Sequence, residues 1–333
     1  MEQIFHWINN LLYLQNLVII STYMNNIKKY MIRSSPFGAF KYNFKDEAEA
    51  YERSKVVVVG VPYDGTTTFQ PGTRNGPSSI LHASPNLEHY DKDLGNIFEI
   101  GIYTAGILDI EDIHVNPVDV INRVYEVSKE YLSDDKFMVT IGGEHSVTQG
   151  VVRAYREKYE NLSVLQLDAH HDLMEKYGGS RYSHASVAKR LIDMECRLTQ
   201  IGIRVTSEEE HQYINKKTEG LMIFYAQDIY NNTRWHKEAI DSLNDHVYLT
   251  LDLDGLDSSI MPSTGTPVPG GLGWYETLNF LRKVYEAKRV VGLDVMELRP
   301  IPGNEAPNFL AADLIYKNIG FLKKCSGQVK SAR

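Results

Sequence analysis

Short apolar runs alternate with amphipathic segments along most of the chain beyond residue 55. The run KVVVVG at 55–60 is continuous and ends in glycine, which is typical of a strand buried on both faces. Further apolar runs of this kind lie at 137–143, 163–170, 198–204, 221–226, 246–254 and 289–297. We therefore predict a series of buried strands whose ends are marked by glycine or polar residues.

Helical patterns fill the stretches between these strands. The segment 116–133 opens with Asn116, a favourable N-cap, followed by Pro117 at the first helical position. Helices are also predicted over 146–159, 274–287 and 306–324. Alternating strands and helices predict an α/β fold with a mostly parallel sheet and helices on both faces. No linker rich in glycine, proline or serine divides the pattern, so 32–333 is predicted to form one domain.

The first 31 residues differ from the rest. Residues 4–20 are apolar but interrupted by asparagine and glutamine, with no basic residue before them and no small-residue cleavage site after them. This is a poor signal peptide and a short, polar candidate for a membrane span. Either an amphipathic helix packs on the body or a neighbour, or translation starts at Met24 or Met31. Residues 1–31 are treated as an extension that carries no functional argument.

Composition narrows the class of protein. The chain has 333 residues, 43% of them hydrophobic and 23% charged, which is ordinary for a globular protein. A net charge of −8 disfavours nucleic acid as a partner and favours cationic small molecules. Cys196 and Cys325 form no CxxC pair, so we expect neither a disulfide framework nor a thiolate zinc site, but a cytoplasmic protein with no membrane partner.

Polar side chains gather where the predicted strands end, and sites in such sheets form outside the carboxyl ends of strands. In the stretch LDAHHD, strand alternation would place Asp168, His170 and Asp172 on one face and His171 on the other. Ionisable groups that converge at a buried strand end are costly unless a cation compensates them. The sequence therefore predicts a cation at this strand end.

Two further strand ends add candidate ligands. His145 follows the run IGGE, although a lone histidine at a strand end is more often a hydrogen-bonded structural residue than a ligand. Asp252 and Asp254 share a face in LTLDLDGLD, for which a calcium-binding or capping loop is the alternative. Together with the LDAHHD residues they form an oxygen-rich set with two imidazoles, which favours Mn²⁺ or Mg²⁺ over structural Zn²⁺. Six such ligands suit two ions that share carboxylates.

The run GLDVMELRP ends the last strong strand. Asp294 and Glu297 lie at its end, and the residues alone favour a Glu297 that is solvated or paired with Arg299.

These segments together resemble the ureohydrolase superfamily of arginases and agmatinases. The resemblance is carried by GGEHS, DAHHD, SHAS, DLDGLD, STGTPVPGGL and the segment GVPYDGTTTFQPGTRNGPSSI at 60–80, and it extends from about residue 36 to residue 323. It implies a three-layer α/β/α arginase-like fold with a mostly parallel central sheet. It also implies two Mn²⁺ ions per subunit, a small cationic guanidino substrate, and a homo-oligomer, either a trimer or a hexamer.

The resemblance implies roles for individual residues. The metal ligands would be His145, Asp168, His170, Asp172, Asp252 and Asp254. Asp172, His184 and Glu297 would be catalytic: His184 matches the histidine assigned to proton transfer, and Glu297 matches the glutamate that receives the guanidinium. Thr266, with His184 and Glu297, would contact the substrate. His171 falls on a variable position of the motif, so it is left out of the ligand set.

Arginases carry an asparagine two positions after DAHxD that binds the substrate carboxylate, and here that position is Met174. Their acidic residues after the G-[IL]-R strand are replaced by Val205 and Thr206. The loop KYGGSRYSHAS is similar to that of agmatinases. The prediction is therefore hydrolysis of agmatine to putrescine and urea, with the distal amine meeting one of the glutamates at 208–210.

Other functions remain open at this point. Guanidinobutyrate, arginine, formiminoglutamate and aminopropylagmatine are alternative substrates. A catalytically silent, metal-bound assembly protein is an alternative of another class, as is a dinuclear phosphatase or deacetylase-like hydrolase. Glu297 disfavours the phosphatase, because an anionic substrate needs a cation at that place.

Overall fold

The computed structural model describes residues 29–216 and 218–328. The predicted N-terminal extension therefore lies outside the described residues up to position 28. The strands are β1 (Met31–Ile32), β2 (Val56–Val61), β3 (Tyr90–Asp91), β4 (Gly95–Asn96), β5 (Ile102–Leu108), β6 (Phe137–Gly142), β7 (Leu162–Leu167), β8 (Arg197–Ile203), β9 (Leu221–Tyr225), β10 (His246–Asp252) and β11 (Arg289–Met296). The α-helices are α1 (Glu47–Arg53), α2 (Gly76–Ala83), α3 (Pro117–Ser133), α4 (Thr148–Lys158), α5 (Val187–Asp193), α6 (Glu208–Ile214), α7 (Ala226–Ile229), α8 (Trp235–Asp241), α9 (Trp274–Ala287) and α10 (Ala306–Gln328).

Nine strands form the central sheet in the order β1-β5-β2-β6-β11-β10-β7-β8-β9, and only the β1–β5 pairing is antiparallel. Helices cover both faces, so the predicted three-layer α/β/α fold with a mostly parallel sheet is confirmed. In β2, Val56 and Val58 enter one hydrophobic core, while Val57 and Val59 enter the other. This explains why the strand is apolar at every position, since side chains alternate between two buried layers.

The strand order brings the predicted motifs together. β6, β11, β10 and β7 are consecutive neighbours, and they are the strands that precede His145, Glu297, the Asp252/Asp254 pair and the LDAHHD stretch. Because neighbouring parallel strands end at the same edge of a sheet, these residues meet there although they are far apart in the chain. β2 and β8 flank the four strands and supply the loops that border this edge.

Several predicted elements agree closely with the structure. α3 begins at Pro117, and the Asn116 side chain accepts a 3.2 Å hydrogen bond from the Val118 amide, as expected of an N-cap. α4 begins at Thr148 rather than Ser146, because residues 145–147 form a 3₁₀ turn first. No described helix has the length and apolar character needed to cross a membrane.

Two strands end earlier than predicted. β7 ends at Leu167, not at residue 170, and β10 ends at Asp252, where a 3₁₀ turn over Leu253–Gly255 follows. In both cases an aspartate turns the chain with its own carboxylate: Asp168 accepts from the His170 amide at 2.6 Å, and Asp252 accepts from the Asp254 amide at 2.9 Å. Side chain-to-backbone bonds of this kind compete with extension of a strand.

Candidate metal centre and active site

The six predicted metal ligands converge at the carboxyl edge of the central strands. They include two adjoining groups, in each of which the nitrogen and oxygen ligand atoms lie within 4.8 Å of one another. One group is His145, Asp168 and Asp252; the other is Asp168, His170 and Asp254. Asp168 belongs to both, as expected for two ions that share a carboxylate. Asp172 lies beside the first group, with Oδ2 at 3.3 Å from the His145 Nδ1 atom.

The surroundings of His145 suit a metal ligand. Its Nδ1 atom lies 3.1 Å from Asp168 and 3.2 Å from Asp252, but none of these contacts has the alignment of a hydrogen bond. Burial lowers the pKa of His145, yet the facing carboxylates outweigh burial and raise that pKa well above its usual range. Burial also raises the pKa of Asp252 well above its usual value, and that of Asp172 to about 7. Divalent cations would compensate this crowd of carboxylates.

The second group joins His170 and Asp254 to the shared Asp168. The His170 Nδ1 atom lies 3.0 Å from Asp254 Oδ2, and burial is again outweighed by carboxylates, so that the pKa of His170 is raised to about 12. Asp254 Oδ1 accepts from the Ala169 amide at 3.0 Å. The Arg204 guanidinium donates to the Asp254 carbonyl at 2.6 Å and to the Val268 carbonyl at 2.8 Å. Arg204 thereby fixes the turn that presents Asp254.

Strand alternation does not explain how Asp168, His170 and Asp172 come together, because these residues lie beyond the end of β7. Asp172 instead has a left-handed backbone, with φ of 54°. Glu297, with φ of 68°, shares this property. Non-glycine residues in this region are strained, and such strain is concentrated at functional sites. The premise of an extended strand was wrong, whereas the separation of His171 from the other three is what the structure shows.

His171 is buried and points away from the two groups. Its Nδ1 lies 3.0 Å from Gln200 Oε1, and its Nε2 lies 3.0 Å from Thr206 Oγ1. Gln200 donates to Gln166 at 2.9 Å, and Gln166 donates to Asp168 Oδ2 at 2.8 Å. His171 is thus connected to the shared carboxylate through two buried amides.

One row of polar side chains crosses the sheet directly below the site. Each residue of the row is paired in register with the next one on the neighbouring strand, in the order Thr140, Asp294, Thr250, Gln166 and Gln200. Every member is buried inside a strand of the central sheet. We call these five residues the polar row. The sequence analysis missed four of them and gave Asp294 no role, although a polar residue within a strand buried on both faces is a usable signal.

Glu297 lies beside His145 and not in an ion pair with Arg299. Its Oε1 accepts from the His145 amide at 2.7 Å, whereas Arg299 donates through Nε to the Pro71 carbonyl at 3.2 Å. Among the described residues no donor contacts the second carboxylate oxygen. Burial and the nearby Glu144 raise the pKa of Glu297 well above its usual value. A cation that entered here would be paired with this carboxylate.

A cavity of about 250 Å³ covers both groups. His184, Thr266 and Glu297 line it, and so does Glu210 alone among the glutamates at 208–210. Thr266 also donates to Asp254 Oδ2 at 3.3 Å. Thr67, Thr68 and Gln70, from the loop after β2, form part of the wall. These loop residues were quoted within a motif but not recognised individually.

A parallel sheet whose central strands end in two adjoining carboxylate–imidazole groups has the architecture of an α/β metallohydrolase. Residues 54–320 match the arginase family, and the chain belongs to this family. It is a ureohydrolase of the agmatinase-like group, which acts on amidino C–N bonds.

The comparisons extend over most of the chain. An N(1)-aminopropylagmatine ureohydrolase of Synechocystis sp. is 40% identical over 284 residues, which cover 83% of this chain and 92% of the relative. An agmatinase of Pyrococcus horikoshii is 35% identical over 270 residues, covering 79% and 90%. The crystal structure of the agmatine ureohydrolase of Thermoplasma volcanium superposes with a TM-score of 0.76 and 30% identity, covering 86% of this chain and 97% of that one.

Proposed function

We propose that this chain hydrolyses a guanidinoalkylamine without a carboxylate, and that agmatine, cleaved to putrescine and urea, is its first candidate substrate. The charge of the cavity wall carries the proposal. Besides Asp172, Asp252 and Asp254, whose charge the metal ions would compensate, the lining contains the carboxylates of Glu210 and Glu297, and no lysine or arginine among the described residues. A substrate that is cationic at both ends suits such a wall, whereas the carboxylates of arginine or guanidinobutyrate would meet like charge.

The metal cofactor belongs to the same proposal. Two Mn²⁺ ions would be held by the six residues predicted above. The ions would supply a water molecule of lowered pKa as the nucleophile and stabilise the charge that develops during the attack. Hard carboxylate oxygens with some imidazole nitrogen, and no cysteine, suit Mn²⁺.

Glu297 would orient the substrate. A guanidinium is planar, stays protonated at neutral pH and forms paired hydrogen bonds with carboxylates. Since Glu297 Oε1 already accepts from the His145 amide, the carboxylate is fixed next to a ligand of the first group. A guanidinium paired with Glu297 would therefore be held in the same cavity as the candidate metal ligands.

Asp172 and His184 would move the protons. The leaving amine must gain a proton before the C–N bond breaks easily, and His184 lines the cavity where that amine would lie. Asp172 lies beside His145 in the cavity wall and would hold the proton that the nucleophile releases. His184 would then deliver a proton to the departing nitrogen.

N(1)-aminopropylagmatine is the second candidate. Relatives 40% and 38% identical carry this activity in their names. Gln70, Met174 and Tyr177 form an uncharged part of the wall and are less buried than the four candidate aspartate ligands. An N-alkyl extension could lie along these side chains without burying an unpaired charge.

The test is a comparison of kcat/KM for agmatine, N(1)-aminopropylagmatine, arginine and 4-guanidinobutyrate, all with Mn²⁺ and all followed by urea release. We expect one of the first two to exceed both carboxylate-bearing compounds by at least about tenfold, since one unpaired charge in a binding site costs on the order of 1.4 kcal/mol or more. Equal or better turnover of arginine or guanidinobutyrate would contradict the proposal.

We also propose that the chain assembles into a homotrimer or a hexamer. Light scattering of the purified protein measures the assembly directly, and a monomer would contradict this part of the proposal.

A further inference from the structure

The ring of His184 is held by the loop that follows β2. The Thr66 hydroxyl oxygen lies 3.3 Å from His184 Nδ1 and accepts from the His184 backbone amide at 3.1 Å. On the other side of the ring, Thr68 Oγ1 lies 3.3 Å from His184 Nε2. One hydroxyl therefore fixes both the backbone and the ring of this histidine.

Glu144 decides the direction of these hydrogen bonds. Its Oε2 accepts from the Thr66 amide, and its Oε1 accepts from the Thr66 hydroxyl, both at 2.6 Å. The Ser146 hydroxyl also donates to Oε1. A carboxylate surrounded by three donors acts as an acceptor, so the single proton of the Thr66 hydroxyl points toward Glu144.

Because its proton points to Glu144, the Thr66 hydroxyl oxygen can only accept hydrogen bonds from His184. One lone pair takes the backbone amide, and the other is available to Nδ1, which must therefore carry a hydrogen to complete the contact. A neutral imidazole has one N–H, so Nε2 is left with a lone pair. That lone pair lies at Thr68, a residue of the cavity wall.

We propose that Thr66, anchored by Glu144, is a positioning residue that holds His184 in the Nδ1–H tautomer and keeps Nε2 as the atom that takes up and delivers the proton. The role of Nε2 in proton transfer rests on the proposed function, whereas the tautomer of His184 follows from the contacts of Thr66 alone. In the cycle, Nε2 takes up the proton that the nucleophile has released to Asp172, the ring becomes an imidazolium, and the same proton then passes from Nε2 to the leaving amine. Nδ1–H stays bonded to Thr66 throughout, so the ring returns to its starting state.

The loop that carries Thr66 is itself rigid, which a positioning role requires. Asp64 accepts from the Gly72 amide at 2.9 Å and binds the Arg74 side chain, which closes the loop across its base. Gly143, which directly precedes Glu144, packs closely against the start of this loop. A Cβ atom at Gly143 would lie 1.9 Å from the Tyr63 carbonyl oxygen, so only glycine fits there. Glu144 is therefore fixed against the start of the Thr66 loop.

The first measurement is the tautomer. In enzyme loaded with diamagnetic Mg²⁺, ¹⁵N-detected NMR of the His184 ring should show the Nδ1–H form in the wild type. An Nε2–H form would overturn the proposal, even if every variant failed to fold. This measurement does not depend on urea release, so it remains decisive if no guanidine compound is hydrolysed, an outcome that would refute only the proposed function.

The second measurement uses Thr66→Val, which keeps the shape of the side chain but removes the hydroxyl. With Mn²⁺ and the best substrate, kcat should fall by about 10–100-fold while KM changes by less than about threefold, because the hydroxyl contacts that position His184 are lost and substrate contacts remain. Thr66→Ser, which restores the hydroxyl, should recover kcat to within about threefold of the wild type.

Thr199→Val is the matched control, since Thr199 is a buried threonine on β8 whose hydroxyl bonds to Ser242 at 2.8 Å, away from the cavity. Its kcat should stay within about twofold of the wild type. If Thr66→Val is folded, retains its metal content and has an unchanged kcat, Thr66 does not position His184. The same conclusion holds if Thr66→Ser is as slow as Thr66→Val.

Discussion

His145 and Thr250 are joined by a hydrogen bond of 2.7 Å between ring Nε2 and hydroxyl Oγ1. Thr250 in turn donates to Asp294 Oδ1 at 2.7 Å, and Tyr248 and Thr148 donate to Oδ2 of the same carboxylate. Because Nε2 must donate to a hydroxyl whose proton is already directed to Asp294, the lone pair of His145 is at Nδ1, facing the candidate metal sites. Thr250 and Asp294, two members of the polar row, thus orient His145, a candidate metal ligand.

Thr250→Val should weaken metal binding. Loss of the hydroxyl frees the His145 ring to turn and leaves Asp294 with one donor fewer, and partners of metal-ligating histidines are typically worth about 10–100-fold in metal affinity. Competition with a chelator, followed by measurement of bound manganese, gives the affinity. Thr199→Val again serves as control. Wild-type manganese affinity in a folded Thr250→Val protein would show that this chain of hydrogen bonds has no part in ligation.

His170 and His171 should differ sharply although they are adjacent. His170→Ala removes a candidate ligand, so urea release should fall by on the order of 1000-fold, because metal catalysis is worth several kcal/mol. His171→Ala only interrupts the bonds to Gln200 and Thr206, and a partner of this kind is worth about 10–100-fold. Metal content and turnover are measured in parallel for both variants. If His171→Ala loses as much metal and as much turnover as His170→Ala, His171 cannot be separated from the ligand set.

Glu210→Gln should affect substrates according to their distal end. Glu210 lines the cavity, accepts from the Leu173 amide at 3.0 Å, and would be the carboxylate that receives the distal ammonium of agmatine. We expect KM for agmatine to rise about tenfold, since charge-assisted hydrogen bonds contribute about 1.5–3 kcal/mol. Butylguanidine, which has no distal ammonium, should be little affected. Glu209→Gln, an exposed neighbour outside the cavity lining, is the control; an equal rise of KM for both substrates would rule out this contact.

His236 should make stability depend on pH. The Lys283 ammonium lies 3.0 Å from its Nδ1, and the ring packs edge-on against Trp235 at 4.1 Å. Burial, together with Lys283, lowers the pKa of His236 to about 4. The unfolded chain then binds more protons than the folded one between about pH 6.5 and pH 4, so stability falls as the pH falls through this window.

His236→Phe keeps an aromatic ring but cannot titrate. The loss of stability between pH 7.5 and pH 5, measured by urea unfolding, should therefore be smaller in this variant than in the wild type. His82→Phe, at an exposed position of α2, should not reduce the loss. If His236→Phe loses as much stability as the wild type, protonation of His236 does not contribute.

The sequence by itself determined the architecture and the inventory of the site. Continuous apolar runs such as Val56–Val61 can be buried only between two layers, and Asn116–Pro117 marks a helix start, so a sheet with helices on both faces followed. The ligand candidates were also accessible, because charged residues such as Asp168 and Asp252 stand where apolar strands end and their burial calls for a cation.

Only the tertiary structure decided how these residues act together. The spatial order of β6, β11, β10 and β7 is non-local, so no sequence spacing reveals that Thr250 bonds His145 or that Thr66 bonds His184. Asp172 takes a left-handed backbone because its neighbours hold it there, against its local preference. Local pattern fixes which residues are buried, whereas their partners depend on which strands become neighbours, and that choice is made by packing of the whole sheet.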